Sequence, residues 1–211
     1  TLALSSHNTQ CWKFHLEDRS ISILPDLSRR CSVVDSDDHH LFVSLGCATE
    51  NLIQAALANG LHGTVVVDDP AGKTLRVLLE PTRAVATRLF DAIPDRQSTR
   101  GEYDGKPISP SELALLERAG TGNGVRIILL TGSAAMEKVL EYVVQGNTAQ
   151  MNDRAFVEEL KAWIRFSGSD AVRTGDGLYA VSSGNPSPPA WLGSLLFGRS
   201  LRRTARTTNT P

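Results

Sequence analysis

Apolar and polar positions alternate from Lys13 to Leu16 and again from Ser20 to Leu24, with Glu17, Asp18 and Arg19 between them. That period of two, broken by a charged turn, predicts a β-hairpin. Pro25 and Asp26 end it, and the polar run from Leu27 to Asp38 predicts irregular chain. Residues 41–59 (LFVSLGCATENLIQAALAN) contain no proline and are apolar nearly all round, with Gly60 placed as a C-cap. They predict a long helix buried on most sides. Thr64–Val67 and Thr74–Leu79 read as a second hairpin around the proline-glycine turn at 68–73. Pro81 to Ile93 reads as a helix. Ser109 to Arg118 reads as another, with Ser109 as cap, Pro110 at the first position and Glu112 to close a capping box. Val125 to Leu130 predicts a buried strand. Ala134–Val144 and Arg154–Phe166 predict amphipathic helices, the second turning Val157, Leu160 and Trp163 inward. From Ser167 to Phe197 the pattern predicts an irregular excursion ending in a short apolar helix at 191–197.

Strands and helices are therefore mixed, and 211 residues suffice for one large domain or two small ones with a substantial core. A formal net charge of -1 gives no reason to expect nucleic acid or a membrane surface as partner. Cys11, Cys31 and Cys47 fit neither a CxxC metal pattern nor a small disulfide scaffold. No apolar run approaches the roughly 18 to 20 residues of a membrane span, and no cleavable signal is visible. Both facts lead to the expectation of a reducing, cytoplasmic location. The chain starts without Met and stops at Pro211, so both ends are expected to be cut short.

Chemistry concentrates in two stretches. Ser5-Ser6-His7-Asn8-Thr9-Gln10 is a row of six uncharged polar residues, followed by Cys11 and Trp12. Hydroxyl, imidazole and amide groups in such a row both donate and accept, which suits the edge of a flat heteroaromatic ring such as a flavin. A loop of turn formers before a first strand accounts for the same composition. The second stretch is Asp95-Arg96-Gln97-Ser98-Thr99-Arg100. On a helical turn Arg96 and Arg100 share a face, and guanidinium forks grip phosphate in two places; an ordinary helix end with exposed arginines is the plain alternative. Asp35, Asp37, Asp38, His39 and His40 invite a metal hypothesis, but adjacent histidines diverge and a solvated helix N-terminus explains the acids better. Asn51 reads as a buried helix-to-helix hydrogen bond rather than a ligand contact.

SSHNTQCW before a strand resembles the flavin-ring loop of the nitroreductase family, usually S-S-x-N-x-Q-P-W, and RQSTR followed by PISPSELALLERAG resembles that family's R-x-S-x-R opening helix. LGCATENLIQAALANGL is similar to its buried central helix. The arginine motif follows the ring loop here instead of preceding it, as in the Acg-type, tandem-duplicated nitroreductase-like proteins of actinobacteria, and the WIRF and DGL segments are similar to theirs. The resemblance implies an α+β nitroreductase-like fold: mostly antiparallel sheet with flanking and buried central helices, in two nitroreductase-like halves at 1–88 and 89–211. It implies one FMN, with Ser5, Ser6, His7, Asn8 and Gln10 at the ring and Arg96, Ser98 and Arg100 at the phosphate and ribityl chain. The second half's counterpart of the ring loop, Gly120 to Gly124, lacks the side chains for a second site. Cys11 replaces the family's proline and brings a thiol near the ring. The implied partners are a small-molecule substrate or FMN alone, with NAD(P)H as the candidate donor and a homodimer as a candidate assembly. Two activities arise as expectations: an NAD(P)H-dependent reductase of nitroaromatic or quinone-like acceptors, or a store that sequesters FMN beneath a lid made from residues 167–197.

Overall fold

The structure, a computed structural model, describes residues 2–67, 73–98, 103–122 and 124–183. Strand β1 (Trp12–Leu16) and β2 (Ser20–Pro25) form the first hairpin, with Trp12 opposite Pro25 and Leu16 opposite Ile21. β3 (Leu61–Val67) and β4 (Leu75–Pro81) form the second, and β4 also pairs with β2, giving one antiparallel sheet in the order β1-β2-β4-β3. The strand alternation dictates which side chains face inward: Ile23 and Val77 point to one face and are 0% exposed.

Helix α1 (His39–Ala58) lies on that face. Leu41, Leu45 and Ala48, spaced to share one side of the helix, pack with Ile23, Val77, Trp12, Cys11 and Ala3. Burying a side chain such as Leu45 contributes roughly 1.5 to 3 kcal/mol. The opposite side of α1 is open: Val43 is exposed, and a Cβ added at Gly46 would meet nothing within 4 Å. The expectation of a helix buried on most sides is thus corrected to one buried stripe, because this sheet covers a helix from one side only. α1 is, by its 20 residues and composition, long and apolar enough to cross a membrane, contrary to the sequence expectation, yet its apolar stripe is the core of the sheet layer.

Asp35 starts α1. Its carboxylate accepts hydrogen bonds from His40 N at 2.9 Å and Leu41 N at 3.0 Å, and it meets His40 Nδ1 at 3.1 Å. Three donors occupy it, which accounts for its burial, and among the described residues no cluster of histidine, cysteine and acids is arranged to hold a metal. At the other end Gly60 takes φ +77°, which a side chain rarely adopts.

Beyond the sheet, α2 (Arg88–Ala92) is much shorter than the helix expected over Pro81–Ile93, since β4 runs on to Pro81 and Thr87 caps only the last turns. α3 (Pro110–Gly120) carries the expected capping box, with Ser109 and Glu112 each bonding the other's backbone. Val125–Leu130 is not a strand: only an isolated bridge joins Gly122 and Val125, and Val125, Ile128 and Leu130 are exposed. A strand needs a partner, and none stands beside it among the described residues. α4 (Ser133–Asn152) contains no buried residue. α5 (Arg154–Trp163) starts at Asp153, whose side chain accepts from Ala155 N at 2.8 Å. It leads into β5 (Ile164–Arg165), α6 (Gly168–Thr174) and β6 (Leu178–Tyr179), the two short strands pairing in parallel. Among the described residues, 103–183 contain no second four-stranded sheet. The turn at 68–72, Arg100 and the apolar segment 191–197 lie outside the described residues.

Candidate functional site

The ring-loop stretch folds as a tight platform. Ser6–Asn8 make a 3-10 turn, and His7, Asn8 and Gln10 all take positive φ, at 48°, 53° and 52°. Three non-glycine residues in this conformation carry strain of order 1 kcal/mol or more each. What holds them is an unusually complete set of hydrogen bonds. Ser5 O accepts from Asn8 N at 3.0 Å, Ser5 Oγ from Gln10 N at 3.0 Å, and Ser6 O from Thr9 N at 2.9 Å. Trp12, 8% exposed, anchors the end of the loop in the core. Cys11 is 2% exposed and its Sγ lies 4.0 Å from Leu41 O, so the thiol expected near the ring points into the core instead.

Four further residues complete the platform, three of them within the WIRF and DGL segments. Arg29 donates from Nε to Thr9 O at 2.5 Å and from Nη2 to the Asp176 carboxylate. Arg165 grips the other oxygen of Asp176 from Nε at 3.1 Å and Nη2 at 2.7 Å. Both guanidinium groups lie over the Trp163 ring, 5.6 Å and 5.8 Å from its centre. Burial pushes the Asp176 carboxyl up, but hydrogen bonds from Arg165, Arg29 and Thr174 and the field of Arg165 outweigh it, and the net direction is down. In sequence Trp163, Arg165 and Asp176 stand within the WIRF and DGL segments, but nothing there links them to one another or to Arg29.

Asp176 brings its turn onto the ring loop. Gly177 N donates to Asn8 O at 3.1 Å and Asn8 Nδ2 donates to Gly177 O at 3.1 Å. Gln10 Nε2 donates to Gly175 O at 2.5 Å. An open cleft runs beside this junction, lined by Gln10, Trp12, Asp26, Arg29 and Gly175. Asp26, at its rim, caps the 3-10 turn Leu27–Arg29 through Ser28 and pairs with Lys13 at 3.1 Å. Beneath the loop, His7 Nδ1 lies 3.3 Å from Cys31 Sγ. Burial first, then the nearby charge of Glu159, pushes the Cys31 thiol up to about 12. At neutral pH it is therefore a protonated thiol beside an imidazole, not a nucleophilic thiolate.

Of the arginine motif, Arg96 and Ser98 are exposed, and Arg96 Nη2 reaches Leu2 O at 3.4 Å. That contact brings the motif to the chain segment that leads into the ring loop. Arg100 lies outside the described residues, as does Asn123 of the Gly120–Gly124 segment.

No protein-family profile matches the chain. Two curated proteins of Mycobacterium tuberculosis, from strains CDC 1551 / Oshkosh and ATCC 25618 / H37Rv and each named "Putative NAD(P)H nitroreductase", are 28% identical to it over 177 residues. The match covers 80% of this chain and 50% of each relative, so the chain spans about half the length of the curated relatives it matches. The mixed fold with its antiparallel sheet is compatible with a nitroreductase-like architecture, and the similarity to these two relatives supports the nitroreductase family for this chain.

Proposed function

We propose that the chain forms the cofactor site of an FMN-dependent oxidoreductase that uses NAD(P)H to reduce nitroaromatic or quinone-like acceptors. The observation that carries this reading is the ring-loop platform: left-handed backbone at His7, Asn8 and Gln10, locked from below and from the side. The amide oxygens of Asn8 and Gln10 have no partner among the described residues. A platform that is strained, rigid and still has polar atoms to offer fits a flat heterocycle.

In this reading Ser5, Ser6, His7, Asn8 and Gln10 meet the ring, and Arg96, Ser98 and Arg100 meet the ribityl phosphate. Ser5 Oγ already accepts from Gln10 N and keeps its O–H to donate. A bound flavin supplies the hydride chemistry; the chain's residues bind it, orient it and set which groups face it. The tandem arrangement, with halves at 1–88 and 89–211 completing one site within one chain, belongs to the same proposal, and the approach of Arg96 to Leu2 supports it.

A second reading, an FMN store, is favoured by one observation: the start of the 167–197 excursion is fastened onto the ring loop through Gly175–Gly177. The visible absorption spectrum of the purified protein is the first test, since both readings require bound flavin. Anaerobic mixing with excess NADPH then separates them. Rapid bleaching of the flavin band supports the reductase, and slow bleaching supports the store.

A further inference from the structure

The turn Gly175–Gly177 presents carbonyl oxygens to the ring loop, and a carbonyl can only accept. Asn8 and Gln10 must therefore turn their NH2 groups toward it, and their amide orientation is settled by chemistry rather than by choice. One N–H of each side chain is used by the turn, and among the described residues both amide oxygens are left over. The turn is in turn fixed by Asp176, whose side chain is only 12% exposed and is shared between Arg29 and Arg165. Arg29 closes the circuit by donating also to Thr9 O, between the two amide residues.

We propose that Asp176 is a positioning residue of the site: it holds the Gly175–Gly177 turn so that Asn8 and Gln10 offer their amide oxygens to the ligand. The site then selects ligand edges that carry N–H donors. This rests on the proposed cofactor reading for the identity of the ligand, but the positioning itself is a property of the chain alone. The imide N–H of an isoalloxazine is a donor of the required kind, and the reduced ring carries a further N–H donor. Loosening the turn therefore weakens binding of reduced flavin more than of oxidised flavin, and lowers the midpoint potential of the bound cofactor. Removing a structural prop without this orienting role would weaken the two forms alike.

The test uses Asp176→Ala and Asp176→Asn in the full chain, with three readouts. Hydrogen exchange by NMR, without ligand, reports the Asn8 and Gln10 side-chain amides and the Gly177 backbone amide, with Ile23 and Leu45 as core references. Exchange at the first three sites is expected to rise at least tenfold while the references stay unchanged. An equal rise everywhere, or none, overturns the positioning role whether or not the protein binds flavin. Titration with FMN is expected to show binding at least tenfold weaker in Asp176→Ala and an intermediate loss in Asp176→Asn, which keeps one accepting oxygen of the two and loses the charge. A redox titration is expected to show a lower midpoint potential in both variants. An unchanged potential overturns the preference for the reduced ring. Wild-type protein that binds no FMN, with the local exchange pattern intact, refutes the cofactor reading and the ligand preference together, while the positioning of the amides stands.

Discussion

Asn8 and Gly177 exchange two hydrogen bonds, each 3.1 Å long, across a separation of 169 residues. The pairing requires Gly177 to approach closely: it takes φ +77°, and a Cβ there would meet Trp163 O at 2.5 Å and the Arg165 guanidinium at 2.8 Å. A backbone carbonyl cannot yield as a side-chain end can. Gly177→Ala is expected to destabilise by roughly 1 to 3 kcal/mol through the strained φ and the clash. Thermal unfolding measures it, and a change within error shows that the turn does not sit against Trp163.

Acid is expected to act through two carboxylates, the buried Asp35 and the largely covered Asp176. Burial pushes Asp35 up, but hydrogen bonds from His40 N, the His40 ring and Leu41 N, with the His40 charge, bring it below its ordinary value. Asp176 is likewise held down on balance. A carboxyl whose folded pKa is depressed stabilises fully above its unfolded value, about 3.9, and loses that contribution as pH falls through the folded value. Denaturant midpoints are therefore expected to hold from pH 7 to about 5 and to fall steeply below about 4. Asp35→Asn, which offers one oxygen where two are used, is expected to lower the midpoint at pH 7 and flatten the acid limb. An acid limb identical to the parent's would count against Asp35.

Arg96→Ala is expected to separate phosphate from ring. The contact with Leu2 O is long and exposed, so stability is expected to change little. A charge-assisted hydrogen bond to phosphate contributes about 1.5 to 3 kcal/mol, so FMN is expected to bind at least about tenfold more weakly. Riboflavin, which lacks the phosphate, is expected to bind as before. Equal losses for both ligands would assign Arg96 a structural role.

Thiol chemistry is expected to track burial. Cys31 is 4% exposed, with its pKa pushed up to about 12, whereas Cys47 is partly exposed on α1. A thiolate-seeking reagent at pH 7.5 is expected to modify Cys47 first and Cys31 only on unfolding. Fast labelling of Cys31 in the native protein would show that the His7 contact activates it.

Local signals carried the sequence reading where structure is local. The two hairpins arise from period-two alternation, α1 from its length and composition, and the Ser109–Glu112 cap from residues three apart. Val125–Leu130 misled because a short apolar run shows burial potential, not the presence of a partner strand. In α1 the sequence could not say how many neighbours would cover the helix. The ring loop was legible as a polar row before Trp12, and its resemblance to a family motif supplied the rest. The WIRF and DGL segments stood out by resemblance, but the network of Arg29, Trp163, Arg165 and Asp176 did not, because nothing near residue 29 points to residue 176; only the folded chain makes them neighbours.

The contact of Glu159 with Val33 N at 2.9 Å and Val34 N at 3.1 Å joins Arg29–Asp176 and Asn8–Gly177 as links between the chain's first 34 residues and residues 159–177. The four-stranded sheet, α1 and the core cluster between them draw on residues 3–81. On a ribosome, where the N-terminal part emerges first, the core can form while the platform is still incomplete. The loop at Ser5–Gln10 acquires its last contacts only when the segment around Gly177 arrives, so a chain interrupted before that point is expected to keep a folded core and lack these contacts. Long-range closure of this kind is slow relative to hairpin and helix formation, which places the completion of this loop late in the chain's maturation.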